Sequence, residues 1–360
     1  MVSAASAPGA QAAPRPPALW IAIGLCVVGS GCKPEFNQRN SQVNGARILA
    51  VQSVPAEADP DGVASGQTPS AIEYHALLVD PAGTEMGAPI DWAYCTRRKL
   101  DTDLNDVSAQ CFSPATDPTD GGSALLPLAA TGTTVTGKLP TTACALFGPN
   151  PPPEQGGRPA DPDATGGYYQ PIRLLVPSAG APIYAAGETR LFCNLSSASQ
   201  QNNKAFTDHY LVNENPEIAE TIAYPASAPA GVALVAGTPL GVGLGEDVRI
   251  SVGWAACPTA PLCAAGACAK ADPCTGAETY IYYDLATQTL VSRRESLRVS
   301  WFANAGSFRD ERTGRAEDEL EVTTENVWTA PQEATTVHLW IVLHDSRGGV
   351  SWQAFDVVAN

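Results

Sequence analysis

Apolar residues alternate with polar ones in short runs along most of this chain. In 71–83, Ile72, Tyr74, Ala76 and Leu78 fall on one side of an extended segment, with Glu73 and His75 on the other. A period of two is the mark of a half-buried strand. The same period places Ile90, Trp92 and Tyr94 on one face, and again Tyr168, Gln170, Ile172, Leu174 and Val176. It continues through Val248, Ile250, Val252 and Trp254, through Leu297, Val299 and Trp301, and through Val337, Leu339, Ile341 and Leu343. Further strands are expected over 46–55, 131–140 and 188–195, with a short helix over 196–210. Asp345 to Gly349 should form the turn of a closing hairpin, where glycine supplies the positive φ that tight connections need.

The pattern repeats. Two blocks each run as a short strand ending in proline, a glycine-led polar turn ("GQTPS", "GEDV"), an alternating strand, and a strand with a central tryptophan, Trp92 or Trp301. Two copies of one sandwich unit are therefore expected. With 32 glycines, 31 prolines and only 16% charged residues, the composition also suits strands and turns better than helices.

Certain segments sharpen this picture. "TENVWTAP" and "VHLWIVLHDSRGGVSWQAFDVVA" resemble the closing strands of bacterial Ig-like and PKD-like domains. "LRVSW" resembles their tryptophan-bearing third strand. "ARILAVQSVPAEADPDG" is similar to the start of Ig-like units in predicted surface lipoproteins of myxobacteria. The resemblance implies an all-β fold with two Ig-like β-sandwich domains in tandem, long loops and a disulfide-rich insert. The expected boundaries are a lipoprotein signal peptide over 1–31, a tether over 32–45, a first sandwich over 46–212 and a second over 213–360. The second carries the Cys-rich insert 257–274, and 216–360 is expected to fold alone. Such domains serve as spacers or binding modules, and a fold does not fix a function.

The N-terminus indicates the compartment. Arg15 precedes an apolar run from Ala18 to Val28, too short for the roughly 20 residues that span a bilayer but suited to a signal peptide. Gly29-Ser30-Gly31 then leads into Cys32, an order that resembles the bacterial lipobox, with Gly29 where leucine is usual. Cys32 is the expected lipidation (palmitate-type acyl) site. Lys33 follows instead of aspartate, which favours the outer membrane or cell surface. Two or more acyl chains would anchor the protein stably.

An exported chain changes how its cysteines read. Beyond Cys32 lie Cys95, Cys111, Cys144, Cys193, Cys257, Cys263, Cys268 and Cys274, an even set that favours complete disulfide pairing. The cluster Cys-x5-Cys-x4-Cys-x5-Cys lacks the tight knuckles of zinc sites and the Cys-x-x-Cys of redox sites. Two local disulfides are expected there, with three pairings open. Elsewhere Cys95 with Cys111 and Cys144 with Cys193 is the simplest arrangement.

The net charge is −16, and residues 1–31 contribute one arginine and no acid to it. Such a surface repels nucleic acid, and no basic patch is visible along the chain. His-Glu-x-x-His, Gly-x-Ser-x-Gly and nucleotide-binding loops are missing, so no catalytic residues, cofactor or metal are assigned. His338 and His344 lie roughly 20 Å apart on one strand, too far for one ion. "DTDLND" (101–106) begins like an EF-hand loop but places Asp106 where glycine belongs and Phe112 where the bidentate glutamate belongs. Glu317, Glu319 and Glu321 read as a solvated acidic loop. Tryptophans 92, 254, 301, 328, 340 and 352 read as core, with Trp340 the best candidate for an exposed stacking residue. The expected function is that of a non-enzymatic, lipid-anchored envelope module, with envelope polysaccharide or another envelope protein as partner. The alternative is an exported enzyme, for example a glycan-acting hydrolase.

Overall fold

Both faces of the closing hairpin are apolar, and that decides the architecture. A computed structural model describes residues 40–60, 71–99, 107–112, 124–149, 167–178, 180–195, 198–264 and 267–360. Cys32, the signal segment and the 101–106 loop lie outside the described residues. The chain divides into residues 1–38 and a unit spanning 39–360.

The first sandwich comprises β1 (Arg47–Val54), β2 (Glu57–Ala58), β3 (Ile72–Asp80), β4 (Gly83–Thr84), β5 (Asp91–Cys95), β6 (Leu125–Thr131), β7 (Thr134–Gly137), β8 (Tyr168–Val176) and β9 (Ile183–Leu191). Short helices α1 (Ala143–Phe147) and α2 (Gln200–His209) follow β7 and β9. Next come β10 (Glu220–Tyr224), β11 (Val232–Ala233), β12 (Leu240–Val242), β13 (Asp247–Gly253), β14 (Cys263–Ala264), β15 (Ala267–Cys268), β16 (Thr279–Asp284) and β17 (Thr289–Arg294). The chain ends with β18 (Leu297–Ala303), β19 (Ser307–Phe308), β20 (Arg312–Arg315), β21 (Thr323–Thr329), β22 (Thr335–Asp345) and β23 (Val350–Ala359).

The internal repeat is a repeat of topology. In the first sandwich β3 lies between β1 and β7, facing a sheet ordered β2-β9-β8-β5-β6. In the second β13 lies between β10 and β21, facing β12-β23-β22-β18-β20. Even the rare parallel pairs correspond, β2 with β9 and β12 with β23. The alternating residues fill the two cores. Ile72, Tyr74, Leu78, Ile90, Trp92, Tyr94, Ile172 and Leu174 pack in the first. Val248, Ile250, Val252, Leu297, Val299, Trp301, Val337, Leu339, Ile341 and Leu343 pack in the second.

A third apolar layer joins the sandwiches. Leu77 and Val79 point away from the first core, and with Ala50 they meet Trp340, Val342 and Val350. Trp340 is 0% exposed, and its Nε1 donates to Thr84 Oγ1 at 2.8 Å. Trp340 is thus core, as read for the tryptophans together, and its candidacy as an exposed stacking residue falls away because the face of β22 opposite the second core is covered by the first sandwich. Polar residues stitch the same seam. Asn215 Nδ2 donates to Ser53 O at 2.8 Å while its Oδ1 accepts from Val350 N at 2.9 Å. Residues 216–360 alone would leave Trp340 and Val342 bare. The segment read as a tether is also docked at its end, since Val43 is buried and donates its N–H to Ala303 O at 2.8 Å.

Among the described residues four disulfides are present. Cys95 bonds Cys111 and Cys144 bonds Cys193. In the insert, Cys257 bonds Cys274 around an inner Cys263–Cys268 bridge, so the pairing left open by the spacing is nested. The insert continues into the β16–β17 hairpin, whose tyrosine-rich strands the periodicity did not single out. The expected helix forms as α2, where Ser199 Oγ accepts from Asn202 N at 3.1 Å. Strand β9 begins at Ile183, earlier than the expected 188, because it pairs with all of β8.

Candidate functional site

Two groups of arginines stand near the tip of the closing hairpin. The first is buried. Asp345 Oδ1 accepts the N–H groups of Arg347 and Gly349 at 2.7 and 2.8 Å, which folds the turn tightly. Gly348 takes a φ of +98°, where a side chain would be strained. The turn drives Arg347 into the joint between both sandwiches and the insert, and it is 0% exposed. Its Nη2 donates to Glu57 Oε2 at 3.1 Å, Tyr210 OH at 2.7 Å and Leu211 O at 2.9 Å. Nη1 donates to Glu278 and Glu295 at 3.2 and 3.3 Å. The guanidinium also lies over the Tyr280 ring, 4.7 Å from its centroid. Arg190 holds the other oxygen of Glu57 at 3.3 Å.

Two arginines thus meet four buried carboxylates, Glu57, Glu278, Glu295 and Asp345. That excess of negative charge is relieved by retained protons. Burial pushes the Glu278 carboxyl up to about 7 and holds Glu295 and Asp345 above the usual carboxylate range. Burial likewise raises the Tyr210 phenol to about 12. Beside this cluster runs an aromatic crevice lined by Phe192, Phe206, Tyr282 and Tyr283, with a volume of about 40 Å³. That admits water but falls well below the ~300 Å³ at which ligand pockets begin. The cluster is a clamp: every charged member is engaged with another part of the same chain.

The second group is open. β20 forms the edge of its sheet and pairs only with β18. The register sets Arg312 opposite Ser300, Gly314 opposite Arg298, and Arg298 opposite His344 on β22. A side chain on Gly314 would collide with the Leu297 carbonyl, so this position keeps the floor low. Two adjoining shallow depressions of about 510 and 620 Å³ share Arg312, Thr313, Gly314 and Arg315. Arg298 and Arg312 are exposed, and Arg315 is half-buried. Burial, then the nearby charges of Arg298 and Arg312, push the His344 imidazole down to about 4. His344 is therefore neutral at physiological pH. Asp310 and Glu325 line the far depression, and Glu325 is already paired with Arg249.

This groove corrects the reading that the chain has no basic patch. Arg298, Arg312, Arg315 and His344 come from three strands, so only the sheet register assembles them. The partial signal was "RTGR", two arginines three apart at the start of what reads as an acidic loop. That loop is otherwise as expected. Glu317 pairs with Arg293 at 2.9 Å and Glu319 accepts from Ala316 N at 2.7 Å. The structure does not bring the two outer histidines of β22 together: His338 instead lies 2.7 Å from Asp356. Among the described residues no group of three or more His, Cys, Asp or Glu is arranged to hold a metal ion.

No family model matches the chain, and no curated protein matches it. Matching solved structures include dimeric latent PorU from Porphyromonas gingivalis, at 8% identity and a TM-score of 0.18. The match covers 89% of this chain and 34% of that one, so the chain spans about a third of that protein's length. A TM-score this low carries no argument about fold or function.

Proposed function

We propose that this protein is a non-enzymatic binding module of the cell envelope, exported and anchored by a lipid on Cys32, which uses two fused sandwiches as a rigid arm. The carrying observation is the double joint between the sandwiches, apolar around Trp340 and ionic around Arg347. Interfaces between domains of one chain are usually polar and permit relative motion. A joint with a buried tryptophan and a five-way arginine instead holds the two units at one angle, which suits a spacer that presents a surface. The four disulfides favour an oxidising compartment. The acids gathered at the joint are ion-paired with Arg190 and Arg347 or, for Asp345, held by hydrogen bonds, beside a crevice too narrow for a substrate, which weighs against the alternative of a hydrolase with two acids.

Cys32→Ser tests the anchor. In fractionated cells the parent chain should follow the membranes and the variant should become soluble. A variant that stays with the membranes as fully as the parent refutes the lipoprotein reading.

A further inference from the structure

We infer that the arginine groove along β20 binds a linear, carboxylate-bearing polysaccharide, an inference that deepens the proposed binding-module reading and rests on it. Three observations support this ligand class. The first is the lack of pairing. The chain carries 37 acids against 21 lysines and arginines, so an exposed arginine readily finds an acid. Arg249 and Arg293 do so at the surface, and Arg190 and Arg347 in the interior. Arg298, Arg312 and Arg315 make no ion pair among the described residues, although they sit together.

The second is shape. Both depressions are open and shallow and share all four residues of β20, one extending toward β18 and β22 and the other toward β21, so together they form a surface that a length of chain can cross in passing. The edge of β20 that does not face β18 presents backbone N–H and C=O groups, partners for sugar hydroxyls. Its four residues are too few to dock an added peptide strand firmly.

The third is charge spacing. Arg298 and Arg312 are two strand positions apart in register and share one face of the sheet with His344, while Arg315, opposite Leu297, leaves β20 on the other side. At ~3.3 Å per residue and ~4.8 Å between strands, neighbouring guanidinium stems stand roughly 7–10 Å apart. Duplex nucleic acid carries a charge every ~1.7 Å and would bring far more phosphate than three arginines can meet. A uronic-acid polysaccharide, with no more than one carboxylate per sugar, offers sparser charge than a nucleic-acid duplex, and the guanidinium fork matches a carboxylate in two parallel hydrogen bonds. Beyond ~8–10 Å the protein's remaining negative charge is screened at physiological ionic strength. His344, neutral beside Arg298, can hydrogen-bond a hydroxyl or carboxylate without adding charge.

The test uses the full chain purified in detergent, so that the outcome does not depend on the anchor. Polygalacturonate should bind by calorimetry, more weakly as salt rises, with dextran inert and single-stranded DNA at least tenfold weaker. Arg298→Ala and Arg312→Ala should each weaken binding about tenfold, and the triple variant with Arg315→Ala should abolish it. Arg312→Lys, which keeps the charge but not the fork, should fall between. The His344 imidazole resonance should titrate at higher pH when polygalacturonate is bound, a readout that a merely structural role for the arginines would not move. Failure of polygalacturonate to bind, equal binding of dextran or DNA, or a well-folded triple variant that binds like the parent would each overturn the inference. None of these results bears on the anchor, which stands or falls with Cys32→Ser.

Discussion

Arg347 and Arg312 lie near the same end of one sheet and have opposite surroundings. Arg347 is sealed among four carboxylates and two phenol rings; Arg312 stands on an exposed sheet edge and makes no ion pair among the described residues, although Asp310 and Glu325 line the adjoining depression. A buried guanidinium is tolerable only when its hydrogen-bond donors are filled, so Arg347 is committed to holding structural units together. An exposed guanidinium costs nothing to leave unpaired, since water solvates it. The first arginine is therefore a fixture of the fold. The second is available to a partner.

The largest effect should come from breaking the buried member. Arg347→Ala strips the shared counter-ion from Glu57, Glu278 and Glu295, and removing one partner of a buried ionic group typically costs ~3–5 kcal/mol. Chemical denaturation should show a loss of that order, and limited proteolysis should cut first near 211–216, where Leu211, Asn213 and Asn215 cross the joint.

A smaller effect should follow pH. Glu278 titrates near 4.5 when unfolded and near 7 when folded. A raised folded value means its contribution to stability is complete below about 4.5 and lost as pH rises through about 7. At ~1.4 kcal/mol per pH unit the loss approaches ~3 kcal/mol. His344 has the opposite sign: its folded value is depressed from 6.5 to about 4, so its contribution is present above 6.5 and lost as pH falls toward 4. Glu278→Gln should flatten the alkaline decline in melting temperature, and His344→Asn the acid decline. A parent whose melting temperature rises from pH 5 to 7.5 would show that the joint's excess negative charge is absent.

The smallest effect on stability, and the sharpest form of the comparison, belongs to the open groove. Arg298→Ala and Arg312→Ala should each change unfolding free energy by no more than about 0.5 kcal/mol, as for surface positions away from special features. A loss comparable to that of Arg347→Ala would mean that the two groups of arginines do the same job.

What the chain determines by itself is set by periodicity and compartment. Alternation at 72–78, 172–176, 297–301 and 337–343 marks strands and their core faces, because a pleated strand sends successive side chains to opposite sides. The repeat of that pattern marks two like sandwiches, and an even set of cysteines without zinc or redox spacing marks disulfides. The second apolar face of β3 and β22 was present in Leu77, Val79, Trp340 and Val342. Alternation, however, says only that a face is apolar, and not what covers it. Alternation thus leaves Trp340 open to either a core or an exposed stacking role, and the first sandwich lying over it decides for the core. The sequence places Arg347 in a hairpin turn, and its burial depends on Glu57, Tyr210 and Glu278 arriving from as far as 290 positions away. The groove of Arg298, Arg312, Arg315 and His344 exists only because the pairing of β18, β20 and β22 fixes their register. Both arginine sites are built from contacts between distant parts of the chain, and a local pattern records nothing of such contacts.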